Sequence, residues 1–291
     1  MRILVTGAKG QVGCCLVEQL KDKVELLAID RDELDITNEL AVIETVQAFK
    51  PHIIINAAAH TAVDKAEEEV ELSYAINRDG PEHLAFAAQS VGAAILHIST
   101  DYVFEGNKVG EYAETDTTSP QGVYGESKLA GEIAVAKACD KHIILRTAWV
   151  FGENGNNFVK TMLRLGATRD ELSIVGDQFG GPTYAGDIAK ALIQIAKCIS
   201  LSDSVDYGIY HYAGLPHVSW CEFAEVIFDS AVKQNVISQK PSLTSITTEQ
   251  YPTPAKRPSN SRLSTDKIKQ TFSVEACDWK AALNNIKAYV G

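Results

Sequence analysis

The chain has 291 residues, 45% hydrophobic and 22% charged, which is enough apolar material for one large or two modest folded domains and excludes a disordered chain. Its 38 acidic and 27 basic residues leave a formal charge of -11, which repels a phosphate backbone and an anionic lipid surface, so neither nucleic acid nor membrane is an expected partner. No apolar run reaches the roughly 18 residues of a membrane span, and six cysteines without C-x-x-C spacing predict reduced thiols, so a cytoplasmic protein is expected.

Arg2 to Thr6 is apolar and ends at Gly7, after which Val12, Leu16 and Leu20 recur at helical spacing; the pattern predicts strand, glycine turn and helix. The turn reads Gly7-Ala8-Lys9-Gly10-Gln11-Val12-Gly13, or G-x-x-G-x-x-G. Glycines there let the backbone turn tightly and approach a pyrophosphate, whose charge the free N–H groups of the helix start stabilise. Val24 to Ile29 predicts a second strand closed by Asp30, where a carboxylate can accept the adenosine ribose hydroxyls and favour NADH. Arg31 beside it can pair with a 2′-phosphate, so NADPH stays open.

Glu39 to Lys50 reads as an amphipathic helix, and Ile53 to Ile55 as a third strand running into Asn56 and three alanines. Glu67-Glu68-Glu69 reads as a charged helix start. Pro81 opens a helix that Gly92 ends, and Ala94 to Ile98 is a fourth strand. Crossovers long enough for helices predict parallel strands, and unbroken Val/Ile/Leu runs predict a sheet covered on both faces. Gly125 to Ala138 then reads as helix and His142 to Arg146 as another inner strand. After about Phe151 the chain changes to loop chemistry, a helix over Phe158 to Leu165, and a proline-rich segment from Pro241 to Ser261 with little periodicity. The expected architecture is therefore α/β. Residues 1–150 form a Rossmann-type doubly wound parallel sheet that binds NAD(P), to which some later elements return. Residues 151–291 form mainly a smaller α+β substrate-binding domain.

Tyr124 and Lys128 stand four residues apart at a helix start, which places both on one face about 6 Å apart along the axis. A phenol, with its pKa of about 10, is a poor acid-base group at neutral pH unless a cation stabilises its phenolate, and Lys128 can supply that cation. Ser99 and Thr100 end the fourth strand at the sheet edge where ligands bind, so a Thr100 hydroxyl can hold a carbonyl oxygen beside the phenol.

The glycine motif, Asn56-Ala57-Ala58-Ala59, Ser99-Thr100-Asp101-Tyr102-Val103-Phe104 and Tyr124-Gly125-Glu126-Ser127-Lys128 together resemble the extended short-chain dehydrogenase/reductase superfamily. More narrowly, the chain is similar to the dTDP-4-dehydrorhamnose reductase family. The further matches are Asn56 to Glu67, Arg146 to Gly152, Gly155 to Phe158, Asp177 to Thr183 and Pro254 to Ser261, so that the resemblance runs from the start of the chain to about residue 261. It implies Gly10, Gln11 and Val12 on the pyrophosphate, Asp30 on the ribose, Asp35 and Ile36 near the adenine, and Ala59, His60 and Thr61 on the nicotinamide side. It further implies Tyr124 as proton donor, Lys128 as its partner and ribose clamp, and Thr100, Asp101 and Trp149 as contacts to the sugar nucleotide. The implied reaction is hydride transfer from NADH or NADPH to C4 of dTDP-4-dehydro-L-rhamnose, giving dTDP-L-rhamnose.

Read on their own, Trp149 after an inner strand is core or ligand contact, and His60 a structural or an acid-base group. Lys256, Arg257 and Arg262 form either a solvated basic face or the counter-charge of the substrate diphosphate. Cys14, Cys15 and Gly186 stand where relatives that dimerise through a metal can carry acidic residues, so no metal is expected, and the chain is a monomer or a homodimer. Two alternatives remain: a cofactor-binding regulatory subunit resembling the methionine adenosyltransferase β subunit, and a sister nucleotide-sugar epimerase or dehydratase.

Overall fold

The computed structural model describes residues 1–202 and 204–290. Five short apolar runs form strands of one parallel sheet: β1 (Arg2–Thr6), β2 (Glu25–Ile29), β3 (Ile53–Asn56), β4 (Ala94–Thr100) and β5 (His142–Thr147). A sixth strand, Gly208–His211, comes from the carboxyl-terminal half and pairs with β5. Across the sheet the order is Gly208–His211, β5, β4, β3, β1, β2.

Helices alternate with these strands. They are α1 (Gln11–Leu20), α2 (Glu39–Phe49), α3 (Val63–Ala66), α4 (Val70–Tyr74), α5 (Gly80–Val91) and α6 (Val123–Ala138). Each has local reasons to start or stop. Asn38 accepts from Ala41 N at the start of α2, and Gly92 ends α5 with a positive φ of 74°. Pro81 lies in the first turn of α5, as its fixed φ favours, but the helix begins one residue earlier and continues from a π-helical turn, Ala75–Asp79. The Glu67–Glu69 run joins α3 to α4, and Glu67 Oε1 accepts from Val123 N, over 2.9 Å, at the start of α6.

Side chains on one sheet face, including Ile3, Val5, Ile55, Leu96 and Leu145, pack with α1 and with the later helix Ala185–Leu201. On the other face Leu4, Ile54, Ile95 and Ile144 pack with α2, α5 and α6. Burial of both faces accounts for the unbroken apolar strands. The strand order reverses between β1 and β3, and in open α/β sheets ligands bind at the carboxyl ends of strands at such a point.

The rest of the carboxyl-terminal half is built from smaller pieces. Helix Phe158–Gly166 packs on Trp220–Lys233, and Glu171–Val175 pairs in parallel with Ser242–Ile246. Phe179–Gly180 lies between Val218–Ser219 and Asn260–Ser261. The aperiodic Pro241 to Ser261 segment thus contains two strands, at Ser242–Ile246 and Asn260–Ser261. Both are exposed or short, so neither alternates apolar and polar residues as a half-buried strand does. No helix among the described residues is long and apolar enough to cross a membrane, and all six cysteines are free thiols.

Candidate functional site

The glycine turn sits at the carboxyl end of β1, against the loop that follows β3. Gly7 has φ +69°, and a Cβ on it would stand 2.6 Å from Ala58 N. A Cβ on Gly13 would stand 1.9 Å from Gly7 O, so the first turn of α1 lies directly on the loop. Gly10 is the extended residue before α1, and no side chain caps this helix start. The first N–H groups, at Gln11 and Val12, therefore face outward as an anion cradle. The Gln11 side chain is engaged by Asn157 Nδ2, 3.0 Å away, so it ties the turn to the loop before helix Phe158–Gly166.

Asp30 ends β2 beside that turn. Its carboxylate accepts from Lys9 N and Arg31 N, each over 2.7 Å, and is held at the position expected of a ribose acceptor. Arg31 is exposed. Lys9 pairs with Asp32 at 3.0 Å and Glu33 at 3.5 Å. Asp35 Oδ1 accepts from Thr37 N and Oγ1 and so shapes its own turn, while the Ile36 side chain is buried against Gly80. A glycine cradle that added Cβ atoms would fill, an open helix start and a strand-end carboxylate together fit a dinucleotide.

Ala59, His60 and Thr61 lie on the loop after β3. Asn77, in the π-helical turn, clamps the His60 backbone, accepting from its N–H over 2.8 Å and donating to its carbonyl over 3.0 Å. The His60 ring lies 2.9 Å from Ser73 Oγ and 3.1 Å from Glu69 Oε2. Both ring nitrogens thus have protein partners, which makes His60 a fastening for the loop.

At the end of β4, Thr100 lies beside Tyr124, and its Oγ1 donates to Asp101 Oδ1 over 3.1 Å. Burial pushes the Tyr124 phenol well above its ordinary pKa, with the nearby Thr100 hydroxyl opposing, so the phenol is protonated at neutral pH. One turn along α6, buried Lys128 donates from Nζ to Ile98 O over 2.7 Å. Burial lowers its pKa from 10.5 to about 8, and Glu132, a further turn on, raises it. Glu132 binds Arg146 of β5 through two bonds of 2.8 and 2.6 Å and accepts from Ser99 Oγ at 2.5 Å.

Asp101 is buried, which pushes its carboxyl from 3.8 up to about 6 against the opposing influence of the Ser261 and Thr100 hydroxyls. Its Oδ2 has no partner among the described residues. Tyr102 packs edge-on against Tyr124, ring centroids 5.4 Å apart, and lines the same recess as Arg257. Arg257 Nη2 donates to Asp64 Oδ2 over 2.6 Å, whereas its buried Nη1 has no partner among the described residues. The three expected cations do not act as one patch. Exposed Lys256 binds Gln121, and Arg262 binds Asn260 and lies over the Phe179 ring.

Tyr102, Arg257, Val63 and Pro258 line both the recess that holds Tyr124 and an adjoining cleft of about 1120 Å³. Trp149, at φ +50°, lines this cleft and stacks on Trp220 with ring centroids 3.5 Å apart. Trp149 is thus both a packing residue and a wall of the cleft. Thr61 and Asp64 line it from the first half of the chain, and Phe158, Arg169 and Gln178 from the second. Arg169 is an exposed cation on this wall that the sequence reading passed over, because nothing near it in the chain marks it. Asn77, His97, Glu132 and Arg146 were likewise missed. The spacing Tyr124, Lys128, Glu132 on one helix face, and a histidine inside an apolar strand, are the signals that would have found Glu132 and His97.

Known proteins are similar to this chain over nearly its whole length. A family model described as the RmlD substrate binding domain matches residues 1–290. A dTDP-4-dehydrorhamnose reductase of Aggregatibacter actinomycetemcomitans is 54% identical over 290 residues, which cover 99% of each chain. A crystal structure of a dTDP-4-dehydrorhamnose reductase from Clostridium acetobutylicum superposes with a TM-score of 0.91 at 44% identity, covering 99% of this chain and 98% of that one. Another, from Bacillus anthracis in complex with NADP, has a TM-score of 0.89 at 40% identity, with 98% of each chain covered.

Proposed function

The chain belongs to the RmlD substrate binding domain family, and from that premise we propose that its site reduces the 4-keto group of dTDP-4-dehydro-L-rhamnose with NADH or NADPH, giving dTDP-L-rhamnose. The observation that carries this reading is the meeting of Thr100, Tyr124 and Lys128 between a dinucleotide cradle and a cleft large enough for a sugar nucleotide.

When bound, the reduced nicotinamide supplies the hydride that adds to C4. The protein's own residues do the rest. Gly7, Gly10, Gln11 and Val12 receive the cofactor pyrophosphate, Asp30 its ribose, with Arg31, Asp35 and Ile36 at the adenine end and Ala59, His60 and Thr61 on the nicotinamide side. Thr100 and Tyr124 hold the C4 oxygen between two hydroxyls, and Tyr124 gives it a proton as charge develops there. A phenol held in its protonated form suits an acid. Lys128 is still mostly ammonium at neutral pH, grips the ribose and stabilises the phenolate left behind. Asp101, Trp149 and Arg257 contact the sugar nucleotide, whose diphosphate finds cations at Arg257 and Arg169. By this division residues 1–150 serve the cofactor and residues 151–291 mainly the substrate. The protein works in the cytoplasm, as a monomer or a homodimer.

A reductase consumes its cofactor, whereas an epimerase or dehydratase regenerates it and a regulatory subunit turns nothing over. The test is purified protein with dTDP-4-dehydro-L-rhamnose and each reduced cofactor. One cofactor oxidised per sugar nucleotide is expected, and no substrate-dependent oxidation with either cofactor refutes the assignment.

A further inference from the structure

The catalytic lysine faces a residue that the reaction as described does not use. Along β4 the face toward α5 and α6 is apolar at Ile95 and turns polar at His97 and Ser99, and His97 is fully buried. The state of its ring follows from fixed neighbours. Ala58 N donates to Asn56 Oδ1 over 3.0 Å, and Thr6 Oγ1 donates to the same oxygen over 2.8 Å. A backbone N–H can only donate, so the Asn56 amide is locked with Nδ2 toward His97 Nδ1, 3.0 Å away. Nδ1 must therefore accept, and the neutral imidazole carries its proton on Nε2. That nitrogen stands 3.4 Å from Lys128 Nζ, at the long end of hydrogen bonding. An ammonium there sets donor against donor, whereas an amine offers the N–H a lone pair.

We propose that His97, its tautomer fixed by Asn56, is a positioning residue for Lys128: its Nε2–H favours the amine form and so sets the pH at which the catalytic helix loses its ammonium. Burial, with the Lys128 charge adding, holds the imidazole far below its ordinary pKa, so His97 stays a neutral donor. Glu132, anchored by Arg146 of β5, pulls Lys128 the other way. Tyr124, one turn back on α6, and Asp101, just after β4, are the acidic groups on the far side of the site.

The kinetic arm of the test rests on the reductase reading, and the spectroscopic arm does not. In protein labelled with nitrogen-15 histidine, the His97 signals are those lost in His97→Gln. They should report a proton on Nε2 and none on Nδ1 from about pH 5 to about pH 9, spanning the ordinary histidine range. A proton on Nδ1, or an imidazolium in that range, overturns the proposal. In turnover, His97→Phe removes the donor, and the alkaline limb of kcat should move up by about one pH unit, the size of one lost hydrogen bond to the amine. His97→Gln, whose amide N–H can still reach Nζ, should keep the limb near that of the wild type. A residue needed only for packing would lower kcat in both variants and leave the limb in place, which would also overturn the proposal. If the wild type does not reduce the sugar nucleotide, the reductase reading fails and the spectrum still decides the tautomer.

Discussion

Glu132→Gln takes the charge from the centre of the buried polar cluster and keeps its shape. Glu132 receives two bonds from Arg146 and one from Ser99, and both members of the ion pair are only 2% exposed. Arg146 Nη1 already lacks a partner among the described residues. The amide therefore leaves a buried guanidinium with no counter-charge, a change that costs about 3–5 kcal/mol. Unfolding entropy of about 2.1 cal/mol/K per residue gives a chain of this length roughly 0.6 kcal/mol/K, so Tm should fall by about 5–8 °C. Glu132 also favours the ammonium of Lys128, whose pKa burial has lowered to about 8. Without it that pKa falls further, and the alkaline limb of kcat moves to lower pH, opposite to the shift expected for His97→Phe. Scanning fluorimetry and a pH profile of reduction measure both effects. A variant that melts within about one degree of the wild type, with an unmoved limb, refutes the role given to Glu132 as the shared counter-charge.

Tyr124→Phe removes the proton donor alone and should lower kcat by about 10²–10⁴-fold while cofactor affinity, read by fluorescence titration, stays near that of the wild type; full turnover would exclude the phenol as the acid. Asp101 has a folded pKa of about 6 against 3.8 for the free group, so the folded protein binds more protons between those values and loses stability as pH rises through them. Above about pH 6 its charged form costs about 3 kcal/mol. Asp101→Asn should therefore raise Tm at about pH 8 and hardly at about pH 4, and equal shifts at both would refute the burial argument. Gly13→Ala puts a Cβ 1.9 Å from Gly7 O, and the overpacked turn should weaken cofactor binding by about tenfold or more, as measured by calorimetry; unchanged affinity would mean that the turn does not cradle the pyrophosphate.

The parallel sheet was legible because β1, β3, β4 and β5 are buried on both faces, and these strands and the half-buried edge strand β2 read as continuous apolar runs between long crossovers. The glycine turn was legible because Gly7, Gly10 and Gly13 follow one another at short spacing between a strand and a helix. What escaped depends on contacts far apart in sequence. The strand Gly208–His211 is four residues long and joins the sheet only through β5. Ser242–Ile246 has no buried residue, so its pairing with Glu171–Val175 leaves no periodic trace. The basic cluster was legible as charge and not as function, since Asp64, nearly two hundred residues away, claims one arm of Arg257 and leaves the other buried without a partner among the described residues. His97 looked like part of an apolar strand because its partners Asn56 and Lys128 come from two other elements. For the net charge of -11, the proposed function makes the compensation local: helix N–H groups at Gln11 and Val12, Lys128 at the ribose, and Arg257 with Arg169 on the cleft wall.

Hydride transfer to C4 of the sugar is the central step of the proposed reaction. The most direct measurement supplies dTDP-4-dehydro-L-rhamnose and cofactor carrying deuterium on one or the other face of the nicotinamide C4, and locates the label in the product by mass spectrometry and proton NMR. Deuterium at C4 of dTDP-L-rhamnose from one of the two labelled cofactors, with that cofactor left oxidised, is the predicted result. Product without deuterium from either cofactor, or cofactor recovered in its reduced form, would contradict it.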